Sequence, residues 1–104
     1  MIVKTFDQNL EDFIDSLERD TYSKTLRTID LLREFEYRLR MPYSKSLGNN
    51  LFELRTKGQQ ETRIFYTFHQ NQVVLLHGFV KKTQKTPSRE IKTALAKLRI
   101  LTNT

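Results

Sequence analysis

The chain has 104 residues, a formal net charge of +6, seven phenylalanines, four tyrosines and no cysteine. This length allows a single domain, 1–104; the lack of cysteine excludes disulfides and a cysteine nucleophile, and with two histidines no metal or cofactor site is expected. No apolar run is as long as a membrane helix and the first residues lack a signal-peptide pattern, so we expect a cytoplasmic protein with no membrane partner.

The first half of the chain predicts a short strand and two helices. Residues 2–6, IVKTF, are β-prone. Asn9 can cap a helix, and the apolar residues after it have the spacing of one buried helical face: Leu10, Phe13, Ile14 and Leu17. A second helix can begin at Asp20 or Thr21 and run to about Leu39, followed by the segment PYSKSLGNN, which is predicted to be a loop.

The second half predicts three strands and a final helix. The strand-like runs are NLFELRT, TRIFYTFH and QVVLLHGFV, with a tight turn from His69 to Gln72. Thr86 can cap a helix that has Pro87 at its first position, and its apolar face would hold Ile91, Ala94, Leu95, Leu98 and Leu101. The order β-α-α-β-β-β-α is an α+β fold: a small antiparallel sheet, two N-terminal helices packed on one face and a C-terminal helix.

Positive charge is concentrated in the second half of the chain. Residues 1–50 carry eight Lys and Arg against nine Asp and Glu, whereas residues 51–104 carry ten against three. Contacts to phosphates supply most of the non-specific affinity of proteins for nucleic acids. The asymmetry therefore favours a polyanionic partner, and a merely soluble basic surface is the alternative.

Period-two alternation divides the side chains of the three strands into two faces. One face is apolar and should meet the helices: Phe52, Leu54, Ile64, Tyr66, Phe68, Val74, Leu76, Gly78 and Val80. The other mixes cations with aromatic rings: Arg55, Arg63, Phe65, His77, Phe79 and Lys81, with Lys57 and Lys82 at the strand ends. Exposed rings among cations are typical of single-stranded RNA binding. In the alternative interpretation, Phe65 and Phe79 pack under the C-terminal helix.

Two segments together resemble the HigB branch of the RelE/ParE toxin superfamily, including its phage-derived relatives. They are SKSLGNNLFELRTKGQQETRIFYTF and VVLLHGFVKKTQKTPSREIKTAL, within residues 44–95. The resemblance implies a RelE-like fold, an antitoxin encoded nearby, of the helix-turn-helix type, and metal-independent cleavage of mRNA on the ribosome. On this basis the chain would be the toxin of a type II toxin-antitoxin system.

The resemblance carries over most directly to five cations: Arg55, Lys57, Arg63, Lys81 and Lys82. Cleavage by the 2′-hydroxyl of the RNA needs stabilisation of negative charge and two proton transfers. Arginine suits the charge role because its planar fork grips two phosphate oxygens. Lys57, Lys82 or His77 could transfer the protons. Glu53 could also be a base, although its pairing with Arg55 or Lys57 is the favoured interpretation. We therefore predict a catalytic set of Arg55, Lys57, Arg63, His77 and Lys82, and an RNA-binding set of Phe65, Phe79, Lys81, Lys85 and Arg89.

Other interpretations of the same residues stay open. Several members of the superfamily use a Tyr or His near the C-terminus, and this chain ends RILTNT with neither. It could instead be a ParE-like toxin that inhibits a topoisomerase, or a non-catalytic RNA-binding module. On the last helix, three cations could be a solvated face or could contact ribosomal RNA or an acidic antitoxin: Arg89, Lys92 and Arg99.

Overall fold

Three helices pack on the two faces of a five-stranded sheet in the computed structural model, which describes residues 1–103. In chain order the elements are β1 Val3–Thr5, α1 Gln8–Asp15, α2 Arg19–Phe35, a single 3-10 turn Glu36–Arg38, β2 Ser44–Gly48, β3 Leu51–Thr56, β4 Glu61–His69, β5 Gln72–Lys81 and α3 Ser88–Thr102. The predicted order of elements is confirmed, with one strand added. None of the helices in residues 1–103 has the length and apolar character to cross a bilayer.

The sheet is an antiparallel meander with one parallel strand at its edge. Its order is β1-β5-β4-β3-β2, and β1 pairs in parallel with β5. Two-residue turns close the β2–β3 and β4–β5 hairpins, and both of their residues have positive φ: Asn49 and Asn50, and Gln70 and Asn71. This is the conformation whose twist matches a tight hairpin. The predicted tight turn between the last two strands is therefore confirmed.

Strand β2 lies in the segment that was predicted to be a loop. It pairs antiparallel with β3, with Ser44 opposite Leu54. The Ser44 hydroxyl also shares a hydrogen bond of 2.5 Å with the hydroxyl of Tyr66, which is buried. The prediction was wrong because pairing with an adjacent strand and this buried contact outweigh the turn-forming composition of the segment.

The helices cover opposite faces of the sheet. Helices α1 and α2 bury Leu10, Ile14, Ile29 and Leu32 against one face. Helix α3 buries Ala94 and Leu98 against the other. Two apolar clusters thus hold the sheet between them, and the α3 face is the one that carries the predicted cations.

A β-bulge in β5 breaks the alternation used to assign its side chains. Phe65 pairs with His77 but Tyr66 pairs with Leu75, so Leu76 is the extra residue. As a result Val73 and Leu75 face α1 and α2, while Val74 and Leu76 face α3. The sequence therefore assigned Val74 and Leu76 to the wrong face, since alternation cannot detect a bulge in a run that is apolar throughout.

Gly78 lies where α1 approaches β5 most closely. A Cβ atom at this position would lie 2.6 Å from Cε2 of Phe13. Atoms at that separation repel strongly, so only glycine lets the aromatic ring of α1 rest on the strand. This contact fixes α1 over the half of β5 that leads to Lys81.

The helix ends differ from the predicted ones. Asp7, not Asn9, caps α1, and its Oδ1 accepts a hydrogen bond of 3.1 Å from the N–H of Leu10. Helix α2 ends at Phe35, four residues before the predicted Leu39, and continues as a 3-10 turn. Pro87 occupies the cap position of α3, and the hydroxyl of Thr86 donates to Glu53 instead.

Replacing Asp7 with asparagine should lower stability at neutral pH by about 0.5–1 kcal/mol, because the amide keeps the cap but loses the 2.9 Å ion pair with Lys97. Burial alone would raise the pKa of Asp7, but hydrogen bonds from Lys97 and Leu10 and the charge of Lys97 lower it below its usual value. Such a group stabilises the fold above its unfolded pKa, and this contribution is lost as pH falls through the folded pKa.

Urea denaturation of the two proteins should therefore show different midpoints at pH 7, and the midpoints should converge as the pH falls through the folded pKa of Asp7, which lies below its ordinary value. Asp15→Asn, on the exposed surface of α1, is the matched control and should track the wild type. A difference for Asp7→Asn that stays constant across this pH range would contradict the ion-pair explanation.

Candidate functional site

Strand register brings the predicted cations into adjacent rows on the α3 face of the sheet. Arg55 on β3 lies opposite Arg63 on β4, which lies opposite Phe79 on β5. In the next row Glu61 lies opposite Lys81. These rows lie at the end of the sheet where β5 leaves for α3, so residues far apart in sequence share one surface.

An open groove of about 540 Å³ runs across these rows. We call it the cation groove, and its lining residues are Arg55, Lys57, Glu61, Arg63, Lys81, Lys82, Thr83 and Gln84. Five of these eight are cations, four of them from the predicted catalytic set. Within residues 1–103, Lys57, Lys81 and Lys82 form no ion pair, so their charges are available to an anionic ligand.

Beneath the groove, Glu53 holds the two arginines. Its side chain is 2% exposed and accepts a hydrogen bond of 2.9 Å from Nε of Arg55. The same oxygen lies 3.6 Å from Nε of Arg63, and its other oxygen accepts from Thr86 at 3.0 Å. One buried carboxylate therefore fixes both guanidinium groups and the start of α3. The predicted pairing of Glu53 with Arg55 or Lys57 is confirmed for Arg55.

Arg63 contributes to the groove from a buried position. Its side chain is 4% exposed, and Nη2 lies 3.4 Å from the Glu61 carboxylate. Burial lowers the pKa of the guanidinium below its ordinary value, and the charge of Arg55 adds to this, while Glu53 and Glu61 oppose it. Arginine remains protonated all the same. Its charge thus acts on the groove from below, whereas Arg55 lies closer to solvent.

Arg55 is the better placed of the two arginines for contact with a ligand. Only its Nε is used by Glu53, and Nη1 makes a weak contact of 3.7 Å with Sδ of Met41. Its remaining N–H groups are those that can bind two oxygens of a phosphate.

His77 lies outside the residues that line the cation groove. Its Nε2 shares a hydrogen bond of 2.8 Å with Glu90 of α3. Its ring stacks parallel to that of Phe65, with centroids 6.3 Å apart. Since both neighbours engage it, this structure gives His77 a packing role, and its predicted catalytic role receives no geometric support.

Phe65 and Phe79 are packed beneath α3. They are 0% and 7% exposed, and their ring centroids lie 5.9 Å apart. Both belong to the apolar cluster that contains Ala94 and Leu98. The expectation that these rings stack on RNA bases was wrong, because α3 covers them, and the alternative, in which both rings pack under the C-terminal helix, holds.

The remaining RNA-binding candidates lie on the loop and helix beyond β5. Lys85 and Arg89 are both exposed. Arg89 lines an adjoining groove of about 420 Å³ together with Lys82 and Thr83. They therefore extend the positive surface from the cation groove towards α3.

Three polar residues that the sequence analysis did not single out also line the cation groove: Glu61, Thr83 and Gln84. Glu61 is the first residue of β4 and lies opposite Lys81 of β5. Its carboxylate is the one acidic group among the lining residues. In residues 1–103, no three His, Cys, Asp or Glu side chains come together as a set of metal ligands.

Comparisons with known proteins agree with the fold. Residues 12–99 match the family model described as "Phage derived protein Gp49-like (DUF891)", a span that includes every predicted site residue. No curated protein sequence matches the chain significantly. Among solved structures, the chain is similar to the "archaeal RelE-RelB complex from Pyrococcus horikoshii OT3", with 18% identity and a TM-score of 0.52 over 82% of this chain and 97% of that one. The resemblance to the RelE/ParE superfamily is confirmed, and the chain belongs to the phage-derived Gp49-like family, with a RelE-like fold.

Proposed function

We propose that the protein is the toxin of a type II toxin-antitoxin pair and cleaves mRNA on the ribosome. The observation that carries the proposal is the cation groove, where Arg55, Lys57, Lys81 and Lys82 line one open surface. An open groove suits a polymer, which must pass through the site without being enclosed. Lys57, Lys81 and Lys82 form no ion pair within residues 1–103, and such cations suit a substrate whose backbone carries one charge per nucleotide.

In the proposed reaction, the 2′-oxygen of the RNA attacks the adjacent phosphorus. The bond from phosphorus to the 5′-oxygen of the next nucleotide breaks, which leaves a 2′,3′-cyclic phosphate and a 5′-hydroxyl. A base removes the 2′-hydroxyl proton, and an acid protonates the leaving oxygen. Negative charge builds on the phosphate oxygens in between, and fixed donors stabilise it without having to reorganise.

Arg55 is assigned the stabilisation of that charge, because Glu53 holds its guanidinium in place before the substrate binds. Lys57 and Lys82 are assigned the proton transfers, since both line the groove and neither is held in an ion pair within residues 1–103. Glu61 is a further candidate base, because its carboxylate lines the same groove.

An antitoxin and the ribosome are the partners that follow from this proposal. The similar archaeal structure is a complex of RelE with RelB, and a comparable protein partner here would mask the cation groove. We propose an antitoxin of the helix-turn-helix type, encoded next to this protein. Cleavage on the ribosome also places the protein in the cytoplasm.

Induction of the wild type should produce cuts within translated codons, detected by primer extension on cellular mRNA. The double variant Lys57→Ala/Lys82→Ala should abolish these cuts and keep the melting temperature, because both side chains are exposed. Lys92→Ala/Arg99→Ala removes the same charge from α3 and is the matched control, with cleavage expected to persist. Growth inhibition by the wild type without mRNA cuts would overturn the proposal.

A non-catalytic RNA-binding module is the second candidate. Among the described residues that line the cation groove there is no histidine or tyrosine, which is the observation that favours it. This candidate predicts RNA binding without cuts in the same experiment. A ParE-like inhibitor of a topoisomerase would instead cause DNA damage signalling with intact mRNA.

A further inference from the structure

Another groove adjoins the cation groove at Arg55 and Lys57, on the side of α2. It has a volume of about 310 Å³, lies between α2 and β3, and shares these two cations with the first groove. We call it the α2 groove. Its outer wall carries Lys24 and Arg27 of α2, and much of its remaining surface is apolar, from Leu31, Pro42 and Tyr43.

Buried threonines set the position of α2 beside the sheet. Thr25 shares a hydrogen bond of 3.2 Å with Thr62 of β4, and Thr28 accepts one of 3.1 Å from Thr56 of β3. These short side chains let the helix lie close to the strands. Lys24 and Arg27 each precede one of these threonines on α2, so the same contacts fix their backbone at the edge of the sheet.

The cations of α2 thus continue the positive surface of the sheet. A Cβ at Gly58 would lie 3.3 Å from Cδ of Lys24, so the Lys24 chain crosses the turn that follows Lys57. Lys24 makes a solvent-exposed ion pair of 3.3 Å with Asp20, which is weak in water. Arg27 forms no ion pair with any residue from 1 to 103.

Tyr43 supplies an aromatic surface next to these charges. The residue is 42% exposed. Its carbonyl accepts a hydrogen bond of 2.7 Å from the backbone N–H of Arg55, which fixes the residue beside the cation groove. Exposed aromatic rings next to cations are the combination that binds single-stranded nucleic acid, because every base can stack on a ring.

We propose that the α2 groove is a second nucleotide-binding subsite, in which RNA leaving the cation groove continues between α2 and β3. Lys24 and Arg27 bind the phosphates of this flanking segment, and Tyr43 stacks on one of its bases. Arg55 and Lys57 line both grooves. This favours RNA over a separate protein ligand, since a single RNA strand could run continuously from one groove into the other past these two cations. This inference rests on the proposed function.

The test measures binding of two labelled RNAs, a uridine dinucleotide and a uridine hexanucleotide, both 2′-O-methylated so that they are not cleaved. Fluorescence anisotropy should show that Lys24→Ala/Arg27→Ala weakens hexanucleotide binding roughly 20-fold at about 0.1 M salt and lowers the slope of log K against log salt by about 1.4. Dinucleotide binding should stay within about twofold, because it reaches only the cation groove.

Further variants test whether the position of the cations matters and whether the Tyr43 ring is the group that binds. Lys92→Ala/Arg99→Ala removes two cations from α3 and should leave hexanucleotide binding unchanged. Tyr43→Ala should weaken the hexanucleotide about tenfold, whereas Tyr43→Phe keeps the ring and should bind like the wild type.

Equal hexanucleotide affinity and salt slope for the wild type and Lys24→Ala/Arg27→Ala would overturn the subsite and leave the proposed function intact. The subsite would also be overturned if the wild type cuts mRNA in cells but does not bind the free hexanucleotide. Unchanged RNA binding with a weakened antitoxin complex would assign the groove to the antitoxin and overturn the subsite. A wild type that binds neither RNA and cuts no mRNA would overturn both proposals.

Discussion

Replacing Glu53 with alanine should destabilise the fold by about 3–5 kcal/mol, because it leaves a buried guanidinium without its internal partner. Glu53 is 2% exposed and lies between Arg55 and Arg63. Nε of Arg63 already has no hydrogen-bond partner among the described residues. Once Glu53 is removed, Glu61, whose side chain is 39% exposed, is the one ion-pair partner left to Arg63 among residues 1–103. Urea unfolding followed by circular dichroism measures the loss.

Two further variants separate the roles of Glu53. Glu61→Gln removes the exposed partner of Arg63 and should cost less than about 1 kcal/mol. Glu53→Gln removes a negative charge below the groove, so RNA affinity should hold or rise while the cleavage rate falls, because a neutral hydrogen bond holds Arg55 less firmly than the ion pair. A Glu53→Ala protein within 1 kcal/mol of the wild type would contradict the assignment of Glu53 as the anchor of both arginines.

Substituting lysine for Arg55 should lower the cleavage rate of translated mRNA by about 10²–10³-fold, although the charge is kept. Lysine has no planar fork and cannot hold Glu53 and two phosphate oxygens at the same time. The fold should survive, because Arg63 continues to pair with Glu53. The measurement is the rate of appearance of cut mRNA in a translating extract at equal protein concentration.

Lys45→Ala is the matched control for Arg55→Lys. Lys45 lies on β2 directly opposite Glu53 in register, yet it is not among the residues that line the cation groove. Its removal should leave the rate within about twofold of the wild type. Cleavage by Arg55→Lys at the wild-type rate would show that the site needs positive charge only, without directed hydrogen bonds.

Helix positions could be predicted because each helix carries its apolar residues on one face. The periodic spacing of Leu10 and Ile14, and of Ala94 and Leu98, survives in the observed core. Strand β2 could not be predicted, because its stability comes from pairing with β3 and not from its own composition. The bulge at Leu76 was equally hidden, since the residues around it are apolar on both sides of the strand.

Cations of the site were easier to predict than their roles. Alternation placed Arg55 and Arg63 on one face, and the register confirms that they lie opposite each other. Whether each is exposed depends on distant parts of the chain. Thr86 and α3 cover Glu53 and Phe65. As a result Arg63 is a fixed charge inside the protein, and the aromatic rings are shielded from solvent.

The sequence separation between paired strands also predicts the order in which the molecule folds. Every residue that lines the cation groove lies in one continuous stretch from Arg55 to Gln84, and its strands pair through local contacts, which close quickly. Parallel pairing of Val3 with Val73 joins distant parts of the chain and must overcome a large loop-closure entropy. We therefore expect the groove to form early in folding and the N-terminal strand to dock last, so a charged surface would exist on the nascent chain before the domain is closed.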